Sequence, residues 1–310
     1  MPTSNRYIIR KSATLETVDV TSGLLNPEQS RTFMTQAFEA TPLLPLVRHE
    51  MRRARSGEID KIGIAGRILR AKTENTDDGY RAKPNFGQVD YQTVAVRLPW
   101  EITEETLREN IEGQGLEATI TNLMTRQVGV DQEDLCVNGD TDTASSDPDY
   151  DFLKLNDGWI KQIENGGHVV DNAGAGMSID VFYQVLRALP NKYNNGNLRW
   201  IMSPHRQQEW ERYLLNQAIT VGGIISDRRI ENPVAIPAVP SPAMPDDKIM
   251  LTDPKNLIVV NTYDMRIRKT VEGKEAIMQD KRFYVIHFDF DTIIEELDAT
   301  AIVKGLKPLS

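Results

Sequence analysis

The chain has 310 residues and one cysteine, Cys136. A single thiol excludes an internal disulfide framework and a cysteine-rich zinc site. No apolar run approaches the roughly 20 residues needed to span a bilayer. The opening stretch MPTSNRYIIRKS lacks the long apolar segment of a signal peptide, so a reducing cytoplasm is the expected setting. Basic residues are in the minority: 36 Lys and Arg face 45 Asp and Glu, for a net charge of −9 and a pI near 5.1. A chain that coats nucleic acid along its length usually needs a basic domain, and this one does not have it. Internal repeats and long low-complexity tracts are also missing.

What is present fits a folded chain. Apolar residues make up 40% and charged residues 26%, and the length suits two domains or one elaborate one. The charge is unevenly spread. Residues 1–100 carry 15 Lys and Arg against 11 Asp and Glu, a net of +4. Residues 101–158 carry 3 against 15, a net of −12, and residues 159–310 are close to neutral with 18 against 19. A basic first third beside an acidic middle suggests attraction between parts of an assembly.

Residues 1–25 show no helical stripe. Asn26 and Pro27 open a short helix with Phe33, Met34, Ala37 and Phe38 on one face, and Pro42 stops it. The basic run Arg48, Arg52, Arg53 and Arg55 follows, with a spacing that puts Arg48, Arg52 and Arg55 on one helical face, suited to an acidic partner. Residues 59–70 alternate with Ile62, Ile64 and Ile68 on one face, and residues 91–98 with Val94, Val96 and Leu98. Both read as half-buried strands around a 19-residue polar insertion. Thr103 is a good N-cap for a short helix, with Glu104 and Glu105 in its first turn. After Gly113 and Gly115 a helix of about five turns carries Leu116, Ile120, Leu123, Met124, Val128 and Leu135, and Asn138-Gly139-Asp140 ends it. From Gly158 the composition is mixed α/β. Helices open at Ser178 and at Ser203-Pro204, and strands are expected at 199–202, 257–261, 263–271, 283–290 and 299–304, with a single turn at Thr292–Leu297. The Pro-rich stretch NPVAIPAVPSPAMP reads as a loop or edge segment.

The search for chemistry yields weak candidates. His287, Asp289 and Asp291 share one strand face opposite Tyr284, Ile286, Phe288 and Phe290, and could hold a divalent ion for a metal-dependent hydrolase. A solvated face of an amphipathic strand explains them as well. Asp140, Asp142, Ser146 and Asp151 fall at calcium-loop positions 1, 3, 7 and 12, but Ser145 stands where the glycine belongs. GAGMSI at 174–179 has two glycines of a dinucleotide fingerprint without the third. Cys136 reads as a small core residue. Ser203 and His205 lack an evident acid, and Ser203 is explained as a cap. No cofactor and no metal site is expected, and the chain is not read as an enzyme.

The order of parts says more than any motif. VRLPWEITEETLREN at 96–110, LEATI…EDLCVNGD at 116–140, WIMSPHRQQEW at 200–210 and NPVAIPAVPSPAMPDDKIMLTDPKNLIVV at 232–260 follow one another in an arrangement that resembles the major capsid proteins of tailed double-stranded DNA bacteriophages, the Hong Kong 97 fold family. The resemblance spans nearly the whole chain. It implies an α+β fold with an N-arm (1–57), an extended β-hairpin loop (58–100), a long spine helix with the first part of the peripheral domain (101–157), an axial domain (158–256) and the rest of the peripheral domain (257–310).

The function this implies is a major capsid protein, assembling as hexamers and pentamers into the icosahedral head shell around double-stranded DNA. A portal and a separate scaffolding protein are expected partners, because Met1 leads almost directly into the arm. No membrane is involved, and assembly is expected in the host cytoplasm. Extended loops in this family lie across adjacent subunits. The expected intersubunit contacts are therefore Arg48, Arg52, Arg53 and Arg55 of the arm with Arg67, Arg70, Lys72, Arg81 and Lys83 of the loop. Their acidic counterparts are Glu104, Glu105, Glu109, Glu112 and Glu117 of a neighbour's spine. Some members form Lys–Asn isopeptide cross-links. Lys72 or Lys83 could donate, but no Asn follows residue 262, so cross-linking is not expected. An encapsulin-type compartment is the alternative with the same fold.

Overall fold

The computed structural model describes residues 41–63, 68–71, 79–109, 116–221, 232–262 and 266–308. The expected helix at 27–42 lies almost wholly outside them, as do Arg67, Lys72 and Glu112. The strands are β1 (Arg48–Arg52), β2 (Ser56–Gly63), β3 (Asn85–Gln92) and β4 (Val94–Thr103), followed by helices α1 (Glu104–Glu109), α2 (Leu116–Asn138), α3 (Tyr150–Leu153) and α4 (Trp159–Gly166). Then come β5 (His168–Asp171), α5 (Ile179–Ala188), β6 (Arg199–Met202), α6 (Pro204–Val221), β7 (Ala238–Pro240), β8 (Ile249–Thr252) and β9 (Leu257–Thr262). The chain closes with β10 (Arg266–Thr270), α7 (Lys274–Gln279), β11 (Lys281–Ile294) and β12 (Ala301–Lys304).

Two five-stranded sheets organise the body. In the first, β1 runs parallel to β9, β9 and β10 lie along one side of the long β11, and β4 lies along its other side. The pleat sends Tyr284, Ile286, Phe288 and Phe290 inward with Trp100 and Ile102 of β4. Trp100 and Tyr284 stack at 5.1 Å. The buried half of α2 and the residues Trp159, Ile160 and Ile163 of α4 cover this core. The second sheet has the order β5-β12-β8-β6-β7 and packs on Phe182, Val185 and Trp210 of α5 and α6. Its edge strand β7 lies in the Pro-rich segment and ends on Pro240, whose missing N–H donor does least harm at an edge. Ile201, Met250 and Ile302 of this sheet reach into the first core, so the two layers share apolar contacts.

Several expectations change. Residues 48–52 form a strand, not one face of a helix, and Leu43, Leu44 and Val47 ahead of it are fully or almost fully buried. The strand expected at 91–98 is two strands, broken at Thr93: β3 belongs to a hairpin and β4 to the sheet. β2 is described over Ser56–Gly63, residues 64–67 of the expected strand lie outside the described residues, residues 68–70 are not strand, and residues 85–90 of the polar insertion are strand. The turn expected at Thr292 is a continuation of β11 through Ile294. The spine α2 has 23 residues, just over six turns, where five were expected. Its end is set by a close crossing: Gly158 donates its N–H to Gly139 O at 2.8 Å, and a Cβ on Gly158 would come within 2.7 Å of Val137 O.

Candidate assembly surfaces

The hairpin β2–β3 is fixed at its root and bare towards its tip. Antiparallel pairing sends alternate residues to opposite faces. The inner face carries Ile59, Val89 and Tyr91, which pack on Ile258, Val260 and Ile293 of the sheet. This parity is the reverse of the sequence expectation: Ile59 is buried, while Ile62 is 71% exposed. Two carboxylates of β11 hold the root. Asp289 pairs with Arg55 at 2.6 Å, and Asp291 accepts the N–H groups of Gln92 at 2.8 Å and Thr292 at 2.7 Å. Burial pushes the Asp291 carboxyl up to about 6, against the opposing pull of those two N–H donors. Further out, Lys61 donates to Glu295 O and pairs with Glu296, both at 3.2 Å.

The N-terminal segment enters through a buried carboxylate. Glu133, on the spine and only 2% exposed, accepts the N–H groups of Leu43 and Leu44 through Oε2 and the Ser241 hydroxyl through Oε1. One side chain thus joins α2, the approach to β1 and the Pro-rich loop. Sequence reading missed it, because a glutamate one position off an apolar stripe looks like an exposed one. Leu123, assigned to the inner stripe, is 57% exposed, while Gln132 and Glu133 are inside.

The expected contact residues divide into two groups. Arg48 pairs with Glu50 and Glu295, Arg52 with Glu50, and Arg55 with Asp289, all in the same chain. Glu104 pairs with Arg282 at 2.5 Å, and Glu117 with Arg282 at 3.1 Å and Lys269 at 2.7 Å. That network joins α1, α2, β10 and β11 around Tyr284, whose hydroxyl is pushed up by burial and then by the Glu117 carboxylate. Arg53, Arg70, Arg81, Lys83 and Glu105 are exposed. Of these, Arg70 lies 3.8 Å from the centre of the Tyr80 ring, and Arg81 donates to Tyr80 O. Glu109 is the last residue of α1.

The chemical candidates resolve into structural roles. His287, Asp289 and Asp291 do share a face, but His287 is exposed and each aspartate is engaged at the hairpin root. Among the described residues no group of three or more His, Cys, Asp or Glu side chains is gathered for a metal ion. The acidic loop after α2 is built around a cation of its own. Lys161 on α4 contacts Asp140, Asp142 at 2.6 Å and Asp157 at 3.3 Å. Burial pulls its ammonium down, but the three carboxylates outweigh that and hold it above its ordinary value. An acid for Ser203 and His205 does exist, Asp246, but it sits between them. The Ser203 hydroxyl donates to Asp246, and Ser203 Oγ accepts the Arg206 N–H as a helix cap. Cys136 is fully buried, with its thiol pushed well above the usual value by burial.

No protein-family model matches the chain. A curated relative does: YqbE of Bacillus subtilis (strain 168), assigned as a prophage capsid protein, is 31% identical over 322 residues, covering 98% of this chain and 99% of its own. Among solved structures, the satellite phage P4 procapsid, which includes a size determination protein, matches with a TM-score of 0.66 and 17% identity, over 99% of this chain and 98% of that one. The capsid of a native GTA particle matches at 0.60 and 11% identity, over 87% and 91%. The holo-SrpI encapsulin of Synechococcus elongatus PCC 7942 matches at 0.55 and 12% identity, over 86% and 87%. The structural likenesses give the fold, which phage shells and an encapsulin share, and the whole-length relative separates the two. The chain belongs to the phage major capsid proteins with the Hong Kong 97 fold, structural proteins that form the head shell of the virion.

Proposed function

We propose that this chain assembles in the host cytoplasm as hexamers and pentamers of an icosahedral shell that encloses double-stranded DNA, with a portal and a separate scaffolding protein as partners. Residues 1–57 serve as the arm, 58–100 as the extended loop, 101–157 as the spine, 158–256 as the axial domain and 257–310 as the remaining peripheral domain. The observation that carries this reading is the hairpin, anchored inward on its own subunit while Ile62 (71%) and Phe86 (70%) stand exposed across from each other on its other face. Two large apolar side chains paired in the open call for a covering surface, and a shell supplies one. Arg53, Arg70, Arg81, Lys83 and Glu105 are the charged residues left at the surface for contact between copies, with Arg67, Lys72, Glu109 and Glu112 proposed beside them.

The P4 procapsid's inclusion of a size determination protein supports a separate assembly partner here. Negative-stain microscopy of the chain expressed with and without the product of the adjacent upstream gene tests the reading. Uniform shells enclosing DNA are expected when portal and packaging functions are supplied. Monomers under every condition would refute it, and shells filled with one enzyme would transfer the chain to the encapsulins.

A further inference from the structure

Asparagine followed by glycine is a chemically weak step in any chain. The glycine nitrogen can close a ring on the side-chain carbonyl carbon, and no Cβ shields that nitrogen. The sequence holds three such steps, Asn138-Gly139, Asn165-Gly166 and Asn195-Gly196. Composition does not rank them, but the fold does.

Asn138 closes α2. Its Nδ2 donates to Asp134 Oδ1 and to Ala243 O, both at 2.6 Å, and the buried Gly139 gives its N–H to Leu135 O at 3.0 Å. Both reacting groups are therefore held in other bonds. Asn165 and Gly166 lie inside α4, where a helical backbone directs each N–H to the carbonyl four residues back and away from the side chain beside it. Asn195 differs on each count. Residues 194–197 are exposed and outside any helix or strand. Gly196 has a φ of 85°, and among the described residues nothing accepts its N–H. No heavy atom lies within 4 Å of where a Cβ on Gly196 would stand, so that side is open to water. Asn195 Oδ1 accepts the Asn197 N–H at 3.1 Å. A side-chain oxygen bonded two residues on forms a closed turn around the intervening peptide. It keeps the Asn195 carbonyl carbon beside the Gly196 nitrogen and aims a donor at the oxygen where negative charge develops.

We propose that Asn195 is a site of spontaneous deamidation in the folded subunit. Water or hydroxide takes the Gly196 amide proton, and the nitrogen attacks Asn195 Cγ. The Cγ–Nδ2 bond breaks and ammonia leaves, closing a cyclic imide. Water opens the imide at either carbonyl, giving aspartate or isoaspartate. One amide and one water become a carboxylate and an ammonium ion, with no oxidant or reductant. Asn195 borders a cavity of about 410 Å³ shared with Lys61 of the hairpin, Lys255 and Glu296. Lys61 already bonds Glu295 O and Glu296 there, so each event adds negative charge next to the hairpin's outer tie. The inference concerns the subunit alone and does not depend on the shell reading.

The test incubates purified subunit at mildly alkaline pH and follows the three steps by peptide mass spectrometry. The mass gain of an amide-to-acid exchange, with isoaspartate, should build up at Asn195 about tenfold faster than at Asn138 or Asn165. In urea the three rates should converge, because the fold sets the ranking. On isoelectric focusing, aged wild-type protein should gain an acidic species that Asn195→Gln never forms and that Asn195→Asp matches from the start. Equal rates in the folded subunit would overturn the proposal, as would an unchanged ranking in urea or an acidic species that persists in Asn195→Gln.

Discussion

Asp291 has a folded value near 6 against an ordinary value of 3.8. Between about pH 4 and pH 6 the folded chain therefore holds a proton that the unfolded chain has released. The sign follows from linkage: stability is fullest below this window and falls as pH rises through it, by about 3 kcal/mol for a shift of this size. Asp291→Asn should remove that pH dependence, measured by chemical denaturation of the unassembled subunit at both ends of the window. Equal slopes for the two proteins would show that the carboxyl is not perturbed. Glu133 matters for another reason. Glu133→Ala strips two backbone donors and a hydroxyl of their buried acceptor, and should cost about 2–3 kcal/mol in the same assay. Neither role was legible in the sequence. Asp291 was visible as a member of an alternating strand, but its partners lie 199 residues away at Gln92 and beside it at Thr292. Glu133 carried no signal at all.

Elements with a clean period or a compact β-branched run were readable, including the short β6 and the fully buried β9, and several other short ones were not. Alternation gave β4 and β11 their correct inward faces, and Thr103 caps α1 as its side chain predicted, accepting the Thr106 N–H at 3.2 Å. β5, β8 and α4 went unseen, since four-residue strands and a two-turn helix present too few residues for a period to emerge. The hairpin was found with its faces exchanged. Counting isoleucines turns Ile62 inward, but the sheet takes Ile59, Val89 and Tyr91 from the opposite face. The junction of α1, α2 and the sheet rests on Lys269, whose side chain is 3% exposed against Glu117. Lys269→Met leaves a largely buried carboxylate with one partner fewer, and should lower the unfolding free energy by about 3 kcal/mol. At the other end of the spine, Gly158→Ala drives a methyl into backbone atoms of residues 137 and 139, and should prevent accumulation of soluble subunit. Normal expression and melting of either variant would show that these junctions yield more than their packing suggests.

At the scale of the molecule, the basic first third is partly neutralised inside one chain, and by the C-terminal strand β11 and the residues after it more than by the acidic 101–158 segment. Arg48, Arg52 and Arg55 find carboxylates in cis, and Lys161 draws together Asp140, Asp142 and Asp157 of the acidic loop. Arg55→Glu therefore sets a carboxylate against the nearly buried Asp289 and should destabilise the subunit itself, whereas Arg53→Glu should leave the subunit melting temperature unchanged. Comparing the two melts separates cohesion within a subunit from cohesion between subunits. The sequence could sum these charges but could not pair them, because pairing is set by contacts far apart in the chain. The parallel seating of β1 on β9 has a mechanical meaning. Tension applied at the N-terminal side of β1 runs along the strand, so the five paired positions from Arg48↔Ile258 to Arg52↔Thr262 share the load instead of opening one after another. A subunit pulled through that end in an optical trap should yield at a higher force than one pulled crosswise at Arg52.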